Sequence, residues 1–148
     1  VGGKVVIDYL RESAASYIYS NPISPASACA ALASVRFVDS SEGVRLLETL
    51  RENIAFFKSE MCNAGFRFAA ESNHPIQPLL AGDTPTTKQF ARNLFEQGIL
   101  VTPINYPVVP KGKDEIRVQL SALHGKNEIA TFINEAVVCA RTIGLFKN

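Results

Sequence analysis

One arginine stands alone in a strand-like run. The segment Tyr106-Pro-Val-Val-Pro-Lys-Gly-Lys-Asp-Glu-Ile-Arg-Val-Gln-Leu-Ser-Ala-Leu-His124 reads as a proline-stiffened loop feeding a strand over 115–121. In a strand, successive side chains face opposite ways. Ile116, Val118 and Leu120 then share one face, and Arg117, Gln119 and Ser121 share the other. A planar guanidinium held on a strand can grip a carboxylate through two parallel hydrogen bonds. The pattern equally fits an arginine on the solvated side of a half-buried strand, where charged residues are ordinary. Residue types and spacing leave both readings open.

Other groups with chemical capacity are scattered. Ser20-Asn21-Pro22 offers a hydroxyl and an amide that suit an anion, and it is also an ordinary turn before a helix. His124 follows the strand and precedes the last helix, and His74 sits beside Pro75; packing or helix-start roles fit both better than catalysis. The loop 106–110 could line a substrate entrance or simply be a stiff surface loop. Cys29, Cys62 and Cys139 match no zinc or redox spacing and read as buried free thiols of a reducing cytosol. No Ser/His/Asp set, metal cluster or glycine-rich phosphate loop stands out. Gly2-Gly3 is too short to carry one.

The elements that must position these groups follow from punctuation and periodicity. Val5, Val6 and Leu10 mark a short helix ending near Ser13, and a loop through 17–22 follows. Ser24 then Pro25 is an N-cap and first-turn pair opening a small-residue helix to about Asp39, and Gly43 is expected to break or kink the chain. Leu47, Leu50, Ile54, Phe57 and Met61 recur at spacings of three and four, a long amphipathic helix stopped at Gly65. A strand over 76–81, a helix opened by Thr84-Pro85 and stopped at Gly98, and strands over 99–104 and 115–121 come next. The last helix is apolar through Ile129, Phe132, Ile133, Ala136, Val137 and Ile143. The order implies an α/β (α+β) fold: a small, mainly antiparallel sheet with helices on one face over 66–148, preceded by a helical arm and linking helix over 1–65.

Bulk properties narrow the function class. The 148 residues suffice for one domain with a core, at 47% hydrophobic and 20% charged. A net charge of +1 gives no electrostatic case for nucleic acid or an anionic membrane. Lys111 and Lys113 are diluted by Asp114 and Glu115. No apolar run approaches the ~20 residues that span a bilayer. The N-terminus shows no basic-then-apolar secretory pattern. Val1 is not a start methionine.

Three blocks give these elements a context. The run from Tyr106 to His124, the pair Asp8-Tyr-Leu-Arg-Glu-Ser and Tyr17-Ile-Tyr-Ser-Asn-Pro-Ile-Ser-Pro-Ala26, and His74-Pro-Ile-Gln-Pro-Leu-Leu-Ala-Gly-Asp83 resemble the C-terminal part of the α-oxoamine synthases. They occur in family order and sit nearest the members that join glycine to an acetyl group. The resemblance implies the small C-terminal domain of an aspartate-aminotransferase-like enzyme (fold type I) that uses pyridoxal phosphate to join an amino acid to an acyl-CoA. It implies that Arg117 binds the substrate carboxylate, and that Ser20 and Asn21 reach the cofactor phosphate of a partner subunit in a cytoplasmic homodimer. None of the seven lysines lies in the family's Schiff-base context, so the reactive centre is expected upstream and the chain alone is expected to be inactive. An aminotransferase of the same fold would use an arginine in the same way. A non-enzymatic α/β module binding a small ligand is the remaining reading.

Overall fold

The computed structural model describes residues 2–146. The chain divides into two compact units, Val1–Glu42 and Gly43–Asn148. The first contains three helices: α1 (Lys4–Ser13), α2 (Ala15–Ile18) and α3 (Pro25–Val38). Lys4 pairs with Asp8 one turn on. The Ser24 hydroxyl accepts from Ser27 N at 3.1 Å and starts α3, as the Ser-Pro pair implied. No residue of these three helices is buried, and Val5, Tyr9, Tyr17 and Tyr19 are exposed. Ala15–Ile18 closes a helical turn where a loop was expected from Tyr17.

The second unit is built on α4 (Ser41–Asn63), β1 (Ile76–Gly82), α5 (Thr84–Glu96), β2 (Thr102–Ile104), β3 (Asp114–Gln119) and α6 (Lys126–Thr142). Gly43 neither breaks nor kinks the chain. It lies buried inside α4, and the interruption falls instead at Asp39 and Ser40. The strands form one antiparallel sheet in the order β1-β3-β2. β3 is thus bonded on both sides: Arg117 stands between Pro78 of β1 and Thr102 of β2, and Glu115 between Leu80 and Ile104. A single bridge, Phe68 to Leu79, covers the outer edge of β1.

One face of the sheet is dry. Leu79, Ala81, Ile116 and Val118 point into it and meet Ile54, Phe57 and Met61 of α4, Phe90 and Leu94 of α5, and Ile129, Ile133 and Ala136 of α6. Phe66 joins this core, its ring 4.9 Å from that of Phe146. The expected small antiparallel sheet with helices on one face is therefore what the second unit adopts. β2 is three residues long where six were expected, and β3 stops at Gln119 rather than Ser121. Pro103 has no N–H to extend a ladder. Beyond Gln119 the chain turns: His124 N donates to Ser121 O at 3.2 Å, and the His124 ring accepts from Ser121 N at 3.2 Å.

Candidate functional site

The uncovered face of the sheet carries the site. By alternation, Glu115, Arg117 and Gln119 of β3 point to it, flanked by Ile76, Pro78 and Leu80 of β1 and Thr102 and Ile104 of β2. Arg117 is exposed and makes no hydrogen bond or ion pair with any described residue. Its backbone is fixed by neighbours on both sides, while its guanidinium has all its donors free. That combination, a rigid base and an unengaged fork, suits the capture of a planar anion.

Glu115 is the second charge of β3 on this face; from the sequence it is the first residue of the expected strand and dilutes two lysines. It is 9% exposed, on a strand position between two aliphatic side chains. Burial pushes its carboxyl above the ordinary glutamate range, and the Arg117 charge two residues on pulls it partly back. Asp114, one residue earlier, faces the other way and is buried. Its carboxylate accepts from the Thr84 hydroxyl at the start of α5 and from Tyr106 N at 3.1 Å. The loop 106–110 is thereby tied to the first residue of β3. Lys111 lies over the Tyr106 ring, 5.1 Å from its centre.

Ser20 and Asn21 lie in the first unit, in the exposed loop between α2 and α3, and their side chains have no partner among the described residues. A free hydroxyl and a free amide fit phosphate oxygens. Lys58 is held by Glu71 at 2.6 Å and Ser72 O at 3.0 Å, and Lys4, Lys88, Lys111, Lys113 and Lys126 are exposed. Lys147 lies outside the described residues. His74 and His124 are occupied in local turns: His74 Nδ1 accepts from Ile76 N at 3.1 Å, and the carbonyl of His124 accepts from the buried Asn53 amide at 2.9 Å. Asn53 also donates to Ser121 O at 3.1 Å. It is a structural residue that the apolar stripe of α4 concealed.

Two clefts adjoin this framework. One, of about 450 Å³, lies between α6 and the segment 97–101. The other, of about 700 Å³, is bordered by Arg67, Gly82, Gly112 and Lys113. Arg117 lines neither.

Residues 1–135 match the family described as aminotransferase class I and II. The chain belongs to that family. Within the aminotransferase class I and II family it is similar to an 8-amino-7-oxononanoate synthase of Thermosipho melanesiensis, 41% identical over 128 residues, covering 86% of this chain and 32% of the relative. It is similar also to a 2-amino-3-ketobutyrate coenzyme A ligase of Salmonella typhimurium, 34% identical over 142 residues, covering 96% and 35%. Both are α-oxoamine synthases, so the resemblance of the three sequence blocks is borne out, with the synthase at the higher identity. The chain spans about a third of the length of these curated relatives. Among solved structures, a serine palmitoyltransferase from S. paucimobilis carrying a pyridoxal phosphate–myriocin adduct superposes with a TM-score of 0.83 at 21% identity, covering 94% of this chain and 35% of that one. An 8-amino-7-oxononanoate synthase from Francisella tularensis gives 0.77 at 20%, covering 95% and 40%. At these identities the superpositions establish the fold: that of the pyridoxal-phosphate enzymes of fold type I.

Proposed function

We propose that this chain is the C-terminal part of a pyridoxal-phosphate-dependent acyltransferase that joins an amino acid to an acyl-CoA. In this reading Arg117 is the carboxylate clamp, and Ser20 and Asn21 reach the cofactor phosphate of the partner subunit. The observation that carries it is Arg117 itself: exposed, without a hydrogen bond or ion pair among the described residues, and standing on the central strand of the sheet's uncovered face. The two relatives named above support the reaction class, and their threefold greater length supports a Schiff-base lysine lying outside this chain. A cytoplasmic homodimer is part of the same proposal. Among the described residues, no helix is long and apolar enough to cross a membrane.

The division of labour follows from chemistry. When bound, pyridoxal phosphate supplies an electron sink for negative charge at the substrate α-carbon. The residues of this chain supply orientation. The Arg117 fork holds the carboxylate through two parallel bonds, which fixes rotation about the α-carbon and presents one of its bonds perpendicular to the cofactor ring. The Ser20 hydroxyl and the Asn21 amide would donate to the phosphate oxygens of the partner subunit's cofactor.

Steady-state kinetics of Arg117→Lys in the full-length protein test the clamp. An ammonium cannot reproduce the two-bond fork. Loss of that contact is expected to lower kcat/KM for the amino acid roughly 30-fold to several-thousandfold, with little change in thermal stability. Wild-type kcat/KM would end the clamp reading. CoA release from an acyl-CoA and an amino acid supports the acyltransferase, whereas amino-group transfer to a keto acid would replace it with an aminotransferase.

A further inference from the structure

Three elements meet at one carboxylate. Asp114 is the first residue of β3 and is 1% exposed. It pairs with Gly82, where β1 ends. Its Oδ2 accepts from the hydroxyl of Thr84, the first residue of α5, and its Oδ1 accepts from Tyr106 N at 3.1 Å. A carboxylate so enclosed has to be hydrogen-bonded, and charge-assisted bonds of this kind are strong. The loop that it holds has little else. Among the described residues, the other hydrogen bonds of 106–113 are Val108 N to Asn105 O at 2.9 Å and Lys113 N to Pro110 O at 3.0 Å, and both close on the loop or its ends. The Lys111 ammonium over the Tyr106 ring is likewise a contact inside the loop. Asn105 Oδ1, where the loop begins, is enclosed and has no donor among the described residues. Asp114 therefore supplies the polar bond that fastens this loop to the start of α5.

The fastened loop stands at the end of the face that carries Arg117. Thr102 of β2 is opposite Arg117, Ile104 is opposite Glu115, and Tyr106 follows two residues later. Four residues of strand rise are about 13 Å. A small α-amino acid held by its carboxylate at Arg117 falls short of the loop, whereas an acyl-CoA is long enough to lie along it. Tyr106 and Val108, 56% and 77% exposed, are the side chains the loop offers. We propose that Asp114 is a positioning residue for the acyl-CoA: its carboxylate sets where the loop 106–110 stands, and the loop contacts the acyl-CoA. This rests on the acyltransferase reading. Asp114 touches neither substrate. Loss of its side chain weakens the acyl-CoA contact and spares the amino acid, because Arg117 is placed by backbone pairing with β1 and β2 on both sides.

The test uses the full-length protein and steady-state kinetics with each substrate varied in turn. Asp114→Ala removes both bonds and is expected to raise KM for the acyl-CoA roughly 5-fold to 20-fold, while KM for the amino acid stays within about twofold. Asp114→Asn keeps both, since its amide oxygen accepts from Tyr106 N and its amide nitrogen donates to the Thr84 oxygen; its KM for the acyl-CoA should lie within about threefold of wild type. Limited trypsin digestion reads the fastening without activity: cleavage after the exposed Lys111 should be about 10-fold faster in the alanine variant than in the asparagine variant. Thr84→Val removes one of the two bonds and guards against an alanine variant that fails to fold, with an expected rise in KM for the acyl-CoA of about 2-fold to 5-fold. Alanine raising neither KM, or both alike, overturns the proposal. So do equal trypsin rates, an asparagine variant as impaired as alanine, or, where alanine does not fold, an unmoved KM in Thr84→Val. Absence of CoA release by the wild type brings down the acyltransferase reading and this proposal with it. CoA release with an unmoved KM leaves that reading standing and removes the role of Asp114.

Discussion

Replacing Asn53 should unfasten the turn after β3. Asn53 is 4% exposed on the inner side of α4, and its amide nitrogen donates to Ser121 O at 3.1 Å and His124 O at 2.9 Å. One side chain thus reaches 68 and 71 residues along the sequence, giving the His124 carbonyl its donor and the Ser121 carbonyl a second one beside His124 N. A neutral hydrogen bond contributes about 1 kcal/mol net, and a carbonyl left unpaired away from water adds a desolvation penalty. Asn53→Ala should therefore destabilise the second unit by about 2–3 kcal/mol. Asn53→Asp is the sharper test. It keeps the shape but aims acceptors at two acceptors and buries a charge, so the loss at neutral pH should exceed that of alanine, at about 3–5 kcal/mol. Acidification should return part of it, because a protonated carboxyl can donate one of the two bonds. Urea titrations of the chain followed by far-ultraviolet circular dichroism give both values, and an unchanged slope shows that the unfolded state is the same. An alanine variant within about 0.5 kcal/mol of wild type, or an aspartate variant no worse than alanine, would refute the reasoning.

Two further outcomes follow from burial. Glu115 titrates above its usual 4.5 in the folded chain, so the stability tied to its protonated form is complete below that value and is lost as pH rises through the raised one. Glu115→Gln should then be more stable than wild type at neutral pH, with the advantage shrinking towards pH 4 in paired melts; a pH-independent difference, or a less stable variant at pH 7, contradicts this. Burial, assisted by Glu135 and Glu96, raises the Cys139 thiol, whereas Cys29 and Cys62, expected from the sequence to be buried as well, are exposed. A disulfide reagent should modify two thiols of the native chain promptly and the third only with denaturant, and three equal rates would show that the α6 core is open.

What was legible in the sequence was whatever a local signal announces. The Ser24-Pro25 start of α3, the stripe of Ile54, Phe57 and Met61, and the alternation of Ile116 and Val118 each depend on residues a few positions apart, and each was read correctly. The isolation of Arg117 on its strand belongs to the same class. Hidden from that reading were side chains whose partners are remote. Asn53 looked like a polar interruption of an apolar stripe, because Ser121 and His124 are far along the chain. Asp114 and Glu115 were read as diluting two lysines, Glu115 also as the first residue of a strand, and their burial depends on neighbours remote in sequence. Gly43 was misjudged because an isolated glycine is a weak breaker once the surrounding helix is packed: its cost of about 1 kcal/mol is easily outweighed over 23 residues.

The strand order has a consequence for how the protein comes into being. β1 and β2 are made first, yet they do not touch; the strand that joins them is the last of the three to be synthesised. Until residue 119 has been added, the nascent chain holds two ribbons with unsatisfied edges and a set of helices with no sheet to lie on. Pairing must then close loops of more than thirty residues between β1 and β3, a slow step compared with helix formation. A ribosome that stalls before Asp114 leaves a product with no route to this architecture, exposed to chaperones and proteases. Arg117 is thus carried by the segment whose arrival lets the sheet assemble, so every copy that acquires the ordered sheet also carries the arginine at its centre.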